Sequence, residues 1–481
     1  MKRTKKTIIL LFLTLLTMVV IIFFWHRTTP QYRARHLVLK LRSSGDPPNL
    51  IEKTLSKFGS RYNIFLPADD SRLEIIYAII ELGPAAVPAL VEALHDQDQT
   101  LIQDALSCLN TIKSPSLEAQ TILFELIKDE NFNIKNNAAY ALIVTATDIY
   151  QTIPFILRSF STAENSARHF LTFAMAERCI ENPQVISELL NLLQDDDINV
   201  RIFTLMLLKE IGPNARQAVP HLRDLLDEQD FSVRFESAAA LLNIDPTSAT
   251  PQIIEILIEA LNNEFYQTVS IMLLGEIGPP AQKSVPLLRQ ALEDPDWHPR
   301  HEAALSLVLI DPNNSPDLAV NILIDDLRGP DNWDKIAAMR TLAQIGPIAS
   351  KAVPMLHNSL IDEFGRLNCD AAVALWKIDP VVSGPQVMDL ILTKIDRCAP
   401  NEYHDYLYML QRIGLPAQKT IPILLEKLDH LDTEMKSLTI STLGDITPPN
   451  SEAVSALKKA LKDKKAMVRN AAREALKNIH K

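Results

Sequence analysis

Six prolines in this 481-residue chain, Pro88, Pro154, Pro220, Pro286, Pro354 and Pro422, stand 66, 66, 66, 68 and 68 residues apart. Around four of them the text recurs: IGPNARQAVPHLRDLL from Ile211, IGPPAQKSVPLLRQAL from Ile277, IGPIASKAVPMLHNSL from Ile345 and IGLPAQKTIPILLEKL from Ile413. A degenerate copy, ELGPAAVPALVEAL, starts at Glu81, and the copy around Pro154 has lost its Gly. Self-similarity at a fixed period is the mark of a repeat architecture, and it restricts the fold more than any local propensity does.

A second series lies between the first. Ile244-Asp245-Pro246, Ile310-Asp311-Pro312 and Ile378-Asp379-Pro380 are spaced by 66 and 68, and Ile446-Thr447-Pro448 continues them. Stepping back from Asp245 by the same interval leads to Cys179, Lys113 and Pro47, where Asp46-Pro47-Pro48 opens the array. The unit is therefore a half period of about 33 residues in two alternating flavours, and about thirteen units fill 45–481.

Each unit reads as two helices. From Ile211, Gly212 suits a left-handed residue closing one helix and Pro213 suits the opening of the next. Val219, Leu222, Leu225 and Leu226 then share one apolar face. Asp227-Glu228-Gln229-Asp230 is a polar turn with acidic caps for the helix that follows. That second helix carries Val233, Ser237, Leu241 and Ile244 on one face, and Asp245-Pro246 ends it, because the residue before proline avoids helical geometry. A hairpin this small cannot bury both its faces alone; stacked copies bury a continuous core.

The pattern resembles HEAT repeats, in particular the bacterial HEAT-like class named from phycobilisome lyases. The resemblance rests on the Pro read as lying within the first helix, the PxLxxxL run after it, the Asp-rich turn, and Val-Arg with small residues opening the second helix. Val200-Arg201, Val233-Arg234 with Ala238-Ala239, and Val468-Arg469 with Ala471-Ala472 show that last element. It covers about nine tenths of the chain, departing from the pattern around Pro154 and over 250–275. It implies an all-α fold, a right-handed α-α superhelix of stacked hairpins, and it says little about function.

Composition agrees with a helical array. The chain is 47% apolar, with 30 Pro and only 12 Gly, too few for the turns of a large β protein. Its four Cys, at 108, 179, 369 and 398, sit in helical segments without a CxxC and read as buried free thiols. The net charge of −11 conceals an asymmetry. Residues 1–44 hold nine Lys/Arg and no acid, and the segment from Glu452 holds nine against three, which leaves 30 basic and 56 acidic side chains between them. A body of that sign repels a phosphate backbone, so no nucleic-acid partner is expected.

The amino terminus reads as an anchor. Thr7 to Trp25, TIILLFLTLLTMVVIIFFW, is a 19-residue run without a charge, close to the ~20 that a spanning helix needs. A cleaved signal would have a shorter apolar core and a small-x-small site; His26-Arg27-Thr28-Thr29-Pro30 offers none. The expected organisation is a transmembrane signal anchor over 1–26, a basic juxtamembrane linker over 27–44, and the repeats over 45–481. The repeat domain is expected to be exported across a bacterial inner membrane. A body on the cytoplasmic face, its basic collar from Arg27 to Arg42 lying against anionic lipid, is the alternative.

Two residue series stand out as candidate sites. An aromatic occurs at or near successive inter-helix turns: Phe231, Phe265, Trp297, Trp333, Phe364 and Tyr403. Exposed, they form an edge row for a protein partner; packed, each staples the start of a helix. Fourteen residues after the repeated Pro stand Arg168, Arg234, Arg300 and Lys436, with Ile102 and Asn368 interrupting. The HEAT resemblance implies a ladder in which such cations pair with turn carboxylates of adjacent repeats; a stripe for an acidic ligand is the other reading.

Catalytic and metal motifs are absent. His301-Glu302 is followed by Leu305 where a zinc-binding HExxH needs its second His. Asp195-Asp196-Asp197 lacks the Gly and spaced ligands of a calcium loop and reads as capping. No GxxxxGK or GxSxG occurs. The chain is expected to be a membrane-anchored protein-binding scaffold, not an enzyme, with no cofactor and no metal. The alternatives are a lyase-like enzyme subunit of the phycobilisome-lyase class and a HEAT-like DNA-repair protein, the latter disfavoured by the acidic body.

Overall fold

The computed structural model describes residues 29–42, 72–293, 299–361, 368–398, 400–449 and 451–479. The apolar stretch Thr7–Trp25 and the start of the array at 45–71 lie outside the described residues. Every described element is a helix, and the described chain divides into two compact units.

The first unit takes the residues up to Arg178 together with Leu461–Asn470. Its elements are α1 (Pro30–Arg42), α2 (Arg72–Glu81), α3 (Val87–Leu94), α4 (Gln99–Ile112), α5 (Leu117–Leu126), α6 (Phe132–Thr145), α7 (Ile149–Ser159) and α8 (Asn165–Glu181), the last running into the second unit. The segment read as a basic linker is thus largely helical. Ala34, Leu37, Val38 and Leu41 of α1 are buried, and α1 packs on α2 and α3. Its charges are engaged within the unit: Arg35 pairs with Glu92 at 3.3 Å and Arg42 with Asp96 at 3.4 Å.

The second unit takes Cys179–Ala460 and the residues from Ala471. It holds α9 (Val185–Leu192), α10 (Ile198–Ile211), α11 (Val219–Asp224), α12 (Phe231–Ile244), α13 (Pro251–Ala260), α14 (Gln267–Ile277), α15 (Val285–Glu293) and α16 (Arg300–Ile310). It continues with α17 (Pro316–Arg328), α18 (Asn332–Ile345), α19 (Val353–Asn358), α20 (Cys369–Ile378), α21 (Ser383–Ile395), α22 (Pro400–Ile413), α23 (Ile421–Lys427), α24 (Thr433–Ile446) and α25 (Ala453–Ala460). The final helix, α26 (Ala466–Ile479), begins in the first unit and ends in the second.

From α3–α4 through α25–α26 these form twelve hairpins, with α2 in the place of a second helix before them. Second helices stack on second helices: α4 on α6, α10 on α12, α14 on α16, α18 on α20 and α22 on α24. Such helices are buried on more than one face. In α12, Val233, Phe235, Ser237, Ala238, Ala239, Ala240, Leu241 and Ile244 are all inside.

The repeated proline is not within the first helix, as the sequence suggested. A 3-10 turn, Gly212–Ala218, precedes α11, and Pro220 is its second residue. There a missing N–H costs nothing, since the first turn has no intrahelical acceptor. Pro354 and Pro422 repeat this arrangement, whereas Pro154, in the copy without Gly, lies inside α7. Nor is the glycine a left-handed helical cap. Gly212, Gly278, Gly346 and Gly414 have φ between 61 and 74° with ψ near −140°, a region open essentially to Gly alone.

The polar turns cap as expected. Asp98, Asn131, Asp197, Asp230, Asp331, Asn368 and Asp432 each accept from backbone N–H groups opening a second helix. Among the described residues no single helix is long and apolar enough to cross a membrane.

Candidate protein-binding site

The aromatic series divides by environment. Trp333 opens α18 behind Asp331, whose carboxylate accepts from the Trp333 and Asp334 N–H groups, and its ring is 81% exposed. Phe265 precedes α14 and is 60% exposed, edge-on to the buried Tyr266 at 4.8 Å. Phe231 is half-buried, 5.7 Å from Tyr266 and 6.2 Å from Phe235, with the Arg234 guanidinium 5.4 Å from its ring centre. Tyr403 is buried, and its hydroxyl accepts from Thr439 Oγ1 at 3.3 Å, so it contributes no exposed ring. Burial raises its pKa, the Thr439 hydrogen bond opposing. Trp297 and Phe364 lie outside the described residues. Of the four described members, then, two present apolar surface and two pack.

The cation series follows the ladder geometry at the two positions with full side-chain detail. Arg234 donates to the carbonyls of Glu228 and Gln229 at 3.0 and 2.9 Å, closing its own turn, and to Glu259 of the next hairpin at 3.2 Å. Arg300 donates to Leu292 O at 3.1 Å and pairs with Asp326 at 3.0 Å. His301 Nε2 lies 3.3 Å from the same Asp326. Arg168 and Lys436 occupy the same helix register, half-buried. Two ladder members were not reached by counting from the prolines. Arg201 pairs with Glu228 at 3.4 Å, and Arg469 pairs with Glu81. Both stand in the Val-Arg dipeptide of the other flavour of repeat, which was the signal available for them.

The sequence reading also missed an apolar patch on the first unit. Phe170 and Phe173 of α8 are 48% and 58% exposed, and Phe170 stacks on Tyr140 of α6 at 4.9 Å. Aromatics three apart on a second helix were the visible sign. In the second unit, Asp370 of α20 accepts from Arg340 of α18 at 3.1 Å and from Arg412 of α22, tying three successive second helices.

Of the four thiols, Cys108 and Cys179 are buried and Cys369 and Cys398 are half-buried, and none is in a disulfide. Burial pushes Cys108 and Cys369 up to about 12, away from the thiolate that nucleophilic chemistry needs. Asp195 Oδ1 accepts from Asp197 N at 3.1 Å while Asp197 caps α10. Among the described residues no cluster of His, Cys, Asp or Glu is placed to hold a metal ion.

A family model for HEAT repeats matches residues 152–243, 186–270 and 250–333. Among solved structures, a chain from the complex of CpcE and CpcF of phycocyanin lyase from Nostoc is 21% identical, with 49% of this chain and 92% of that one covered and a TM-score of 0.32. The Kap95:Nup1 complex aligns over 84% of this chain and 64% of its own at 16% identity and TM-score 0.38. Importin beta aligns over 94% and 74% at 13% identity and TM-score 0.35. No curated protein matches the chain. The chain is an all-helical array carrying HEAT repeats, a solenoid fold consistent with a protein-interaction scaffold.

Proposed function

We propose that this chain is a membrane-anchored HEAT-repeat scaffold that acts by binding other proteins and catalyses no reaction. The observation that carries the reading is Trp333. A large amphipathic ring stands 81% exposed at a capped, ordered helix start, where burying it would gain much and ordering it would cost little. Phe265 offers a second such ring in the same unit. The acidic body favours protein surfaces carrying basic or apolar groups over nucleic acid.

Thr7–Trp25 is the proposed anchor, on length and lack of charge. The body is then exported, on the far side of the membrane from the four Lys/Arg that precede the run.

Crosslinking followed by affinity capture of the full-length protein tests the binding reading. Trp333→Ala should lower partner recovery at least tenfold with an unchanged melting temperature. A lowered melting temperature with unchanged recovery would assign Trp333 to helix-start packing instead. Removal of residues 1–26 should move the protein from the membrane to the soluble fraction; retention on the membrane would remove the anchor from the proposal. Protease added to spheroplasts should digest the body, and full protection would place it on the inner face.

A further inference from the structure

The last helix departs from the rule that caps the others. Seven second helices open behind Asp or Asn, but α26 opens behind Lys465, a cation at the end of a helix where free N–H groups need an acceptor. The acceptor comes from elsewhere in the first unit. Glu74 Oε1 of α2 accepts from Ala466 N at 2.7 Å, across 392 residues of sequence, and Glu74 is only 3% exposed.

A second contact follows the same substitution. Arg469 holds in α26 the register that Arg234 holds in α12, and it donates to the carbonyls six and five residues before it, Asp463 and Lys464, at 2.7 and 2.9 Å. Arg234 does the same to Glu228 and Gln229. Arg234 then reaches forward 25 residues to Glu259. Arg469 instead reaches Glu81, 388 residues back, with Nε at 2.7 Å from Oε1 and Nη2 on Oε2. This is a forked, two-point pair, with Arg469 8% and Glu81 25% exposed. Glu74 and Glu81 are seven residues apart on α2, two turns along one face, and Ala466 and Arg469 are three apart on α26. The two contacts therefore fix one register between the two helices.

We propose that α2 serves as both cap and ladder partner for α26, forming a clasp that holds the start of the last hairpin helix only while α2 is in place. Glu74 replaces the Asp or Asn cap, and Glu81 replaces the carboxylate that the following hairpin supplies to Arg234. The clasp couples the order of residues 466–469 to that of the amino-terminal helices, so that displacing α2 releases the beginning of α26.

Native-state hydrogen exchange on the full-length chain tests this. In a Glu74→Gln/Glu81→Gln variant the amides of 466–469 should exchange at least tenfold faster than in the parent, while those of α12 keep their rates. Unchanged exchange at 466–469 would overturn the clasp. Should that variant lose protection throughout, a cycle of Glu81→Gln, Arg469→Gln and both together, read as exchange at 466–469, decides the matter. The clasp requires that the second substitution add less than a further twofold to the first. Multiplying effects would show that the two residues act separately and would overturn it.

Discussion

Arg234 and Glu259 meet at 3.2 Å across the boundary between two hairpins, and the same guanidinium holds the carbonyls of Glu228 and Gln229 in the turn before its own helix. One side chain thus joins three things that the repeat must keep in register: a turn, a helix start and the next copy. Arg234 is 21% exposed and Glu259 57%, so the carbonyl bonds carry more than the ion pair does. Arg234→Ala should destabilise the protein by about 1–2 kcal/mol. Arg234→Lys should recover little of it, because an ammonium cannot fork between two carbonyls and a carboxylate. Denaturant unfolding followed by circular dichroism reads this. If the residue belonged to a stripe for acidic ligands, stability would hold and only partner capture would change.

Two glycines should respond to alanine for different reasons. Gly346 has φ of 70° and nothing within 4 Å of an added Cβ, so Gly346→Ala carries backbone strain alone, about 1–3 kcal/mol. Gly444 has ordinary helical backbone, but a Cβ there would sit 2.7 Å from Ala475 Cα and Cβ of α26. Gly444→Ala should cost about 1–3 kcal/mol through overpacking. Shortening the neighbour with Ala475→Gly should relieve the Gly444 variant and leave the Gly346 variant as it was. Melting temperatures of the four proteins check this.

Cys108 is fully buried, and its thiol is pushed up to about 12 by that burial. At pH 8 it should resist iodoacetamide in the native protein and react at the ordinary rate after unfolding in guanidinium. Mass-spectrometric labelling kinetics provide the measurement; fast native labelling of Cys108 would place it at an open surface.

Asp379 ends one repeat and opens the next, accepting from Ser383 Oγ at 2.9 Å and from the N–H groups of Val382 and Ser383. The Ser383 hydroxyl, followed by those backbone groups, holds its carboxyl below the usual value. A depressed folded pKa gives stability that is present above the unfolded value, near 4, and that is lost as pH falls through the folded value. Asp379→Asn should therefore show a shallower loss of stability below about pH 4 than the parent. Acid titration of the unfolding midpoint is the check.

Much of the fold was legible because each hairpin repeats the same physical solution. Proline spacing, the Asp turn and the Ile-Asp-Pro stop recur, and the helices lie where those signals place them. The finer geometry was less visible. That Pro220 follows a 3-10 turn rather than sitting within a helix depends on hydrogen bonding around Gly212–Ala218, which a one-letter pattern does not encode. The helical state of Pro30–Arg42 was hidden by its charges, since Ala34, Leu37, Val38 and Leu41 form a narrow apolar stripe among basic residues. The site was read less well. Trp333 and Tyr403 look alike in sequence, each an aromatic within four residues of a helix start, yet one is exposed and the other is covered by its neighbours. The pairing of Glu81 with Arg469 follows from tertiary placement of distant segments and has no local sign in the sequence.

Small hairpins stabilised by their neighbours should transmit a defect only locally. Gly275 of α14 lies against Ser306 of α16, so closely that a Cβ would come within 2.6 Å of Oγ and 3.1 Å of Cα. Hydrogen exchange across the full-length Gly275→Val variant is the most direct measurement. Stacked repeats predict faster exchange in α14 and α16, fading over the adjoining hairpins, with α4 and α6 at parental rates. A uniform rise along the whole chain would mean one indivisible core and would contradict the repeat account.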